Sequence, residues 1–144
     1  MPNLCSQFSS KQMARKMESS ARIFLRIAIA VTMLSAVADR FGFWGAQSGW
    51  GNWQNFEKYT TELTFFLPGI LSKFSAYAAT FFEIVFSVML ISGFRTREAA
   101  IGTGVLLMIF ALSMTISLGV KAPLDYSVWV GSAAAFFLAA QRGR

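Results

Sequence analysis

The chain has 144 residues, of which 55% are hydrophobic and 14% are charged, and its formal net charge is +6. Because a soluble domain of this length needs more charged side chains to cover its surface, the composition excludes an ordinary soluble protein and predicts an integral membrane protein. The basic residues lie at the ends of apolar runs rather than in one patch, so we expect no nucleic-acid partner.

Cofactor chemistry is limited by two residue counts. Histidine is absent, and Cys5 is the single cysteine. Within one chain these counts exclude a disulfide, an iron–sulfur cluster, a haem ligated by histidine and a zinc site of thiolates or imidazoles. We therefore expect no metal, haem or iron–sulfur cofactor.

Four segments are long and apolar enough to cross a bilayer. A membrane-spanning helix needs about 20 residues, at a rise of about 1.5 Å per residue. The first is the least regular and requires Arg side chains at its ends to snorkel toward the headgroups. A rival interpretation of this segment is a secretory signal peptide with a cleavage site at residues 36–38. The predicted spans are 22–40, 74–94, 99–120 and 123–141.

Orientation follows from the distribution of Lys and Arg between the two sides of such a bundle. Residues 1–21 form a polar, basic segment before the first span, and the range 22–141 is the membrane domain. One side carries Lys11, Arg15, Lys16, Arg22, Arg26, Arg95, Arg97, Arg142 and Arg144, and the other carries Arg40, Lys58, Lys73 and Lys121. The more basic side, with both termini, is predicted to be cytoplasmic, with tight turns at residues 95–98 and 121–123.

Residues 41–73 are predicted to be an external, aromatic-rich connection between the first two spans. Trp44, Trp50 and Trp53 have the composition of a membrane-interface belt. A short interfacial helix is expected before Pro68, with one shared face made of Trp53, Phe56, Thr60 and Leu63. The helix is either a lid on the bundle or a ligand entrance. The predicted fold class is thus all-α, a four-transmembrane-helix bundle with this short interfacial helix.

Glu83 is the sharpest candidate for function, because a carboxylate inside a membrane is costly and usually faces the bundle interior. Thr80 and Ser87 share its helical face. Counting residues along antiparallel helices leaves Arg26 and Arg40 each about 10 Å from Glu83 along the axis, so the count does not choose between them. Glu83 is either a ligand-binding or proton-carrying group or part of a structural ion pair.

Other polar residues are weaker candidates. Asp39, Arg40 and Asp125 are expected to meet beneath the aromatic connection, either as a functional group or as ordinary interfacial ion pairs. The side chains predicted to line a cavity near Glu83 are Thr32, Ser35, Ser113 and Trp129. Ser and Thr in helices also bond their own backbone carbonyls, so a structural role stays open for them.

An ordered set of residues resembles the DoxX family of small bacterial four-helix membrane proteins. Arg26 and Arg40 stand 14 residues apart in the first span. Glu83, an apolar run and the motif Gly93-Phe94-Arg95-Thr96-Arg97-Glu98-Ala99-Ala100 follow. The resemblance covers roughly residues 22–138. This sequence departs from the family pattern in three ways: Ala36 or Val37 replaces a usual Gly, Arg40 replaces a more common Lys, and the aromatic connection is long.

The resemblance implies a multi-pass protein of the bacterial inner membrane that is associated with redox chemistry, since some relatives are subunits of thiosulfate:quinone oxidoreductases or join oxidative-stress complexes. It favours a subunit that binds quinone or a similar apolar molecule between its helices, in contact with lipids, a partner oxidoreductase subunit or further copies of itself. This interpretation does not require the chain to catalyse a reaction by itself. The alternatives are a small proton-coupled or cation transporter and a membrane-protein assembly factor.

Overall fold

The computed structural model describes residues 4–141, and that part of the chain is helical, with α1 (Leu4–Arg40), α2 (Trp53–Leu63), α3 (Gly69–Ser92), α4 (Thr96–Leu118), α5 (Lys121–Asp125) and α6 (Val128–Ala140). A single 3-10 turn at Gly45–Gln47 lies between α1 and α2. Helices α1, α3 and α4 are long and apolar enough to cross a membrane, and α6 is a shorter apolar helix of 13 residues. The all-α membrane fold is confirmed.

Helix α1 begins well before the predicted first span. It has 37 residues, and residues 4–21, predicted as a separate polar segment, belong to it. No Gly or Pro occurs between Asn3 and Phe41, and residues such as Gln, Met, Ala, Arg and Lys favour helix, so nothing in the sequence ends the helix earlier. Side chains 9–21 are exposed, so α1 extends beyond the rest of the bundle.

Helix α2 forms the interfacial element that the periodicity predicts. The Asn52 side chain caps its start by accepting a hydrogen bond from the backbone N–H of Asn55 at 2.9 Å. Phe56, Thr60 and Leu63 are buried on the predicted face. The helix therefore lies against the bundle rather than free above it.

A tight turn joins α3 to α4, two residues earlier than predicted. Gly93 ends α3 with a left-handed φ of 77°, and Arg95 precedes α4 with a φ of 44°. Glycine adopts this conformation without strain, and a Cβ at position 93 would lie 3.2 Å from Nη1 of Arg26. Residues 96–98, predicted to be in the turn, already belong to α4.

The fourth predicted span, 123–141, is interrupted, so the count of four membrane helices is approximate. The predicted turn at residues 121–123 is wrong, because this segment begins α5. Pro123 is buried in the first turn of that helix, where the N–H that proline lacks would have no partner within the helix. Ser127, with φ 55°, separates α5 from α6. Asp125, Tyr126 and Ser127 all have modest helix propensity, which favours a break at this point.

Small residues allow close packing of the helices. The backbone carbonyl of Gly104 in α4 accepts a hydrogen bond of 2.8 Å from the Ser132 hydroxyl in α6, and a Cβ at Gly104 would lie 2.9 Å from the Phe136 ring. Apolar residues such as Ala30, Leu90 and Ala100 form a dry core toward the α3–α4 turn. Buried charge is concentrated in the opposite half of the bundle, where α1 ends.

Candidate functional site

Arg40 and Glu83 form a buried ion pair between α1 and α3. Nη1 of Arg40 lies 2.5 Å from Oε2 of Glu83, and Nη2 donates a hydrogen bond of 2.9 Å to Oε1. Arg40 is 2% exposed and Glu83 is 3% exposed. Paired contacts of this kind between guanidinium and carboxylate groups are strong and geometrically specific.

Thr80 completes this polar centre from the same face of α3. Its hydroxyl accepts a hydrogen bond of 2.6 Å from Nη1 of Arg40 and donates one of 2.9 Å to the carbonyl of Ala76. The structure buries Thr80, Glu83 and Ser87 together, as their helical spacing places them on one face. The terminal nitrogens of Arg40 are thus both held by α3.

The direction in which helical side chains lean explains why Glu83 meets Arg40 and not Arg26. Side chains in a helix tilt toward its N-terminus. In antiparallel α1 and α3, Arg40 and Glu83 therefore lean toward each other, which closes most of the axial gap of about 10 Å that residue counting leaves. Arg26 leans away from Glu83 and instead contacts Gly93 at the α3–α4 turn.

Aromatic rings lie against the buried Arg40 guanidinium. Cζ of Arg40 lies 3.8 Å from the centre of the Phe56 ring and 5.7 Å from that of Trp50, both within cation–π range. Further ring contacts link these two to neighbouring side chains at centroid distances of 4.6 to 6.0 Å. We call this cluster the aromatic cap: Phe41, Trp50, Trp53, Phe56, Tyr59 and Tyr77.

Asp39 holds the loop that carries Trp50. Its carboxylate accepts hydrogen bonds from the backbone N–H of Gly49 at 2.8 Å and of Trp50 at 2.9 Å. The Asn55 amide in α2 donates to the Trp50 carbonyl at 2.8 Å. Asp39 therefore fixes the aromatic cap over Arg40 rather than joining the ion pair, a positioning role that the sequence did not indicate.

Asp125 does not join Asp39 and Arg40. It is exposed and forms an ion pair with Lys121, four residues earlier on the same short helix. The predicted meeting of three charged residues thus fails at Asp125, because a local pair was available one helical turn away. The (i, i+4) spacing of Lys121 and Asp125 could have indicated this from the sequence.

The four residues predicted to line a cavity near Glu83 form no hydrogen bond with Glu83 among the described residues. Thr32 is exposed, and its hydroxyl donates to the Ala28 carbonyl at 2.8 Å, as threonines in helices often do. The Ser35 carbonyl accepts a hydrogen bond of 3.1 Å from the indole of Trp44. Ser113 and Trp129 are half-buried, with no described hydrogen bond to Arg40 or Glu83. Trp44 is exposed and lies outside the aromatic cap.

Several buried polar side-chain atoms in α1 to α4 have no hydrogen-bond partner within residues 4–141. They include Nε of Arg40, Nε1 of Trp53, Oγ of Ser87 and Oγ1 of Thr103. A buried donor without an acceptor costs about 1–3 kcal/mol. Two of these donors, on Arg40 and Trp53, belong to or adjoin the aromatic cap. Such an arrangement suits a planar molecule that carries carbonyl acceptors.

Tyr59 adds a hydroxyl at the edge of the aromatic cap. Burial, followed by the proximity of Tyr126 and Glu62, raises the pKa of Tyr59 above its ordinary value of 10.0. The hydroxyl therefore stays protonated to a higher pH than in an exposed tyrosine. In the described part of the chain no three Asp, Glu, Cys or His side chains come together as a metal site.

Comparison with known proteins identifies the family. The family model described as DoxX matches residues 21–116, which is more than half of the chain and includes Arg40, Glu83 and the α3–α4 turn. Neither the curated proteins nor the solved structures contain a match to the chain. On the extent of the family match, together with the helical membrane architecture, this chain belongs to the DoxX family.

Proposed function

We propose that this chain is a redox-associated membrane subunit that binds a quinone, or a similar planar apolar molecule with carbonyl groups, beneath the aromatic cap. The observation that carries the proposal is Nε of Arg40, a buried charged donor without an acceptor within residues 4–141. The other two nitrogens of this guanidinium are held by Glu83 and Thr80. Nε is thus the guanidinium nitrogen that can donate a hydrogen bond to a ligand.

The chemistry of a quinone fits the groups around this donor. Its carbonyl oxygens can accept hydrogen bonds from Nε of Arg40 and Nε1 of Trp53, and its ring can stack on the aromatic cap. Glu83 and Thr80 would hold the guanidinium in place. A bound quinone supplies two-electron carrier chemistry, and a partner oxidoreductase subunit supplies the electrons.

Ligand entry on this account requires movement of the aromatic cap. Arg40 is 2% exposed, and the Phe56 ring lies over its guanidinium. Displacement of α2 and of the loop around Trp50 would uncover Nε. That loop contains Gly42 and Gly51, with left-handed φ values of 74° and 73°, and it is held by the two hydrogen bonds to Asp39. Opening would break those bonds.

The other two hypotheses have less support. Transport of a proton or cation by Glu83 requires its carboxylate to exchange partners, yet both of its oxygens contact the Arg40 guanidinium. Recognition of other membrane proteins, the role of an assembly factor, has no distinctive surface in its favour, because exposed apolar side chains on α3 and α4 are equally expected of contact with lipid.

Quinone binding is tested by equilibrium dialysis of the purified protein in detergent against a short-chain quinone. Trp53→Phe keeps the ring but removes the free indole N–H, and we expect it to weaken binding about tenfold. The matched control is Trp44→Phe, because the Trp44 indole already donates to Ser35. Absence of saturable binding by the wild type, or equal loss in both variants, would contradict the proposal.

A further inference from the structure

A second polar site lies at the opposite end of the bundle, beside the α3–α4 turn. A groove of about 440 Å³, partly open to the surroundings, runs between α1, α4 and the end of α6. Its lining includes Arg22, Arg26, Arg97, Glu98 and Gln141. This groove is separate from the Arg40–Glu83 pair and has no part in the proposed quinone site.

The groove has an excess of positive charge. Three guanidinium groups face one carboxylate, and none of the four forms an ion pair with a residue in the range 4–141. Arg22 and Arg26 are one helical turn apart, so their charges repel each other. The Arg26 guanidinium also lies beside Gly93, with Nη1 3.2 Å from the position that a Cβ would occupy there. An anion in the groove would relieve this repulsion.

Unpartnered polar atoms and a helix terminus add to the case for an anion. Nε of Arg26 is buried and has no acceptor within the described part of the chain. The 23-residue helix α4 starts at the groove, and its N-cap residue, Arg95, gives no side-chain cap to the first N–H groups in the described part of the chain. The positive end of its dipole favours a negative group at this position. Phosphate oxygens can accept from guanidinium and backbone donors together.

The position of the groove indicates a lipid as the source of that phosphate. Arg22 and Arg40 are separated by 18 residues of α1, or about 27 Å, close to the roughly 30 Å hydrocarbon thickness of a bilayer. With Arg40 at one boundary, the groove lies at the other, at headgroup depth. Ile23 lines the groove and is exposed, and its sequence neighbour Phe24 is also exposed, so this part of α1 offers apolar surface to acyl chains.

We propose that this groove binds the phosphate diester of an anionic phospholipid. Arg22, Arg26 and Arg97 hold the phosphate, and the start of α4 adds its free N–H groups. Oε1 of Gln141, buried without a donor in the described residues, can accept from a headgroup hydroxyl. Phosphatidylglycerol supplies both the negative charge and the hydroxyls. On the predicted orientation the bound lipid lies in the cytoplasmic leaflet.

The test measures the apparent Kd from the lipid dependence of the thermal midpoint in neutral detergent. Dioleoyl phosphatidylglycerol, dioleoyl phosphatidylcholine and inorganic phosphate are compared at equal ionic strength. We expect phosphatidylglycerol to bind at least about tenfold more tightly than phosphatidylcholine, with no stabilisation by millimolar inorganic phosphate. Equal effects of the two lipids would overturn the proposal, and stabilisation by phosphate alone would identify a free phosphate ligand and overturn the lipid source.

Matched variants locate the site. Arg22→Gln/Arg26→Gln is expected to remove the preference for phosphatidylglycerol, whereas Lys11→Gln/Arg15→Gln, which removes two charges at the same spacing from the exposed part of α1, is expected to preserve it. Equal losses in the two double variants would indicate general charge attraction and overturn the proposal.

A variant that is expected to strengthen lipid binding distinguishes a specific effect on the groove from a loss of binding caused by misfolding. Glu98→Gln removes the carboxylate from the groove lining and should strengthen binding of phosphatidylglycerol about two- to threefold. Damage to the fold cannot produce such a gain. An unchanged or weaker affinity of Glu98→Gln would count against the assigned site.

Discussion

Arg40 and Glu83 lean toward each other from α1 and α3, and their side chains, which are 2% and 4% exposed, form an ion pair. Removal of one partner leaves an uncompensated buried charge, which costs about 3–5 kcal/mol. We therefore expect Glu83→Ala to lower the free energy of unfolding by that amount. The double variant Arg40→Leu/Glu83→Met, which buries no charge, should lose less than either single change. Denaturant titration in mixed micelles measures these differences.

An exposed ion pair in the same protein is the control for the double-mutant cycle of Arg40 and Glu83. Lys73 and Glu57 are 3.1 Å apart, with 64% and 23% of their side chains exposed. Their double-mutant coupling should be about 0–1 kcal/mol. A coupling energy for Arg40 and Glu83 as small as that of the exposed pair would show that burial does not strengthen their interaction.

The two hydrogen bonds from the Gly49–Trp50 backbone to Asp39 predict a local effect of Asp39→Ala. Loss of the acceptor leaves these N–H groups unpaired, which costs about 1–3 kcal/mol where they are shielded from water. We expect faster hydrogen exchange in residues 47–52 with little change in α4. Asp125→Ala, at an exposed carboxylate, should not change exchange in 47–52. Unchanged protection in Asp39→Ala would refute its positioning role.

Gly93→Ala is expected to destabilise the α3–α4 turn for two reasons. The φ of 77° costs a residue with a Cβ about 1–2 kcal/mol, and the new methyl would lie 3.2 Å from Nη1 of Arg26. Gly69→Ala, with open space around its Cβ position and an ordinary φ, should be neutral or slightly stabilising. Thermal unfolding in detergent compares the two, and equal stability would contradict the assigned turn geometry.

The pKa of Tyr59 predicts a dependence of stability on alkaline pH. Because burial raises this pKa in the folded protein above the ordinary 10.0, folding favours the protonated phenol. Its contribution is complete below the unfolded pKa and is lost as pH rises above about 10. Tyr59→Phe should therefore reduce the decline in unfolding free energy above pH 10, and Tyr126→Phe should reduce it less. An identical decline in the wild type and Tyr59→Phe would disprove this.

Much of the architecture could be predicted from sequence because membrane helices depend on local composition. The buried face of α2 followed from its 3.6-residue period, since Phe56, Thr60 and Leu63 lie on one side. Residues 125–127 have low helix propensity, which is compatible with a break between α5 and α6, but propensity alone does not predict the left-handed backbone at Ser127 that separates the two helices.

The candidate site was predictable only in part. Helical spacing placed Thr80, Glu83 and Ser87 together, but the choice of Arg40 over Arg26 required the lean of side chains along antiparallel helices. The role of Asp39 depends on a backbone turn 10 and 11 residues away, which no periodic pattern encodes.

The variant Arg40→Lys tests whether Nε of Arg40, which has no acceptor within residues 4–141, helps to bind a quinone. Lysine keeps the positive charge beside Glu83, but it lacks Nε and the planar guanidinium face. In equilibrium dialysis with a short-chain quinone, we expect saturable binding by the wild type and about a tenfold weaker affinity in a folded Arg40→Lys protein. Equal affinity in the two proteins, or no saturable binding in the wild type, would contradict the proposed role of Nε.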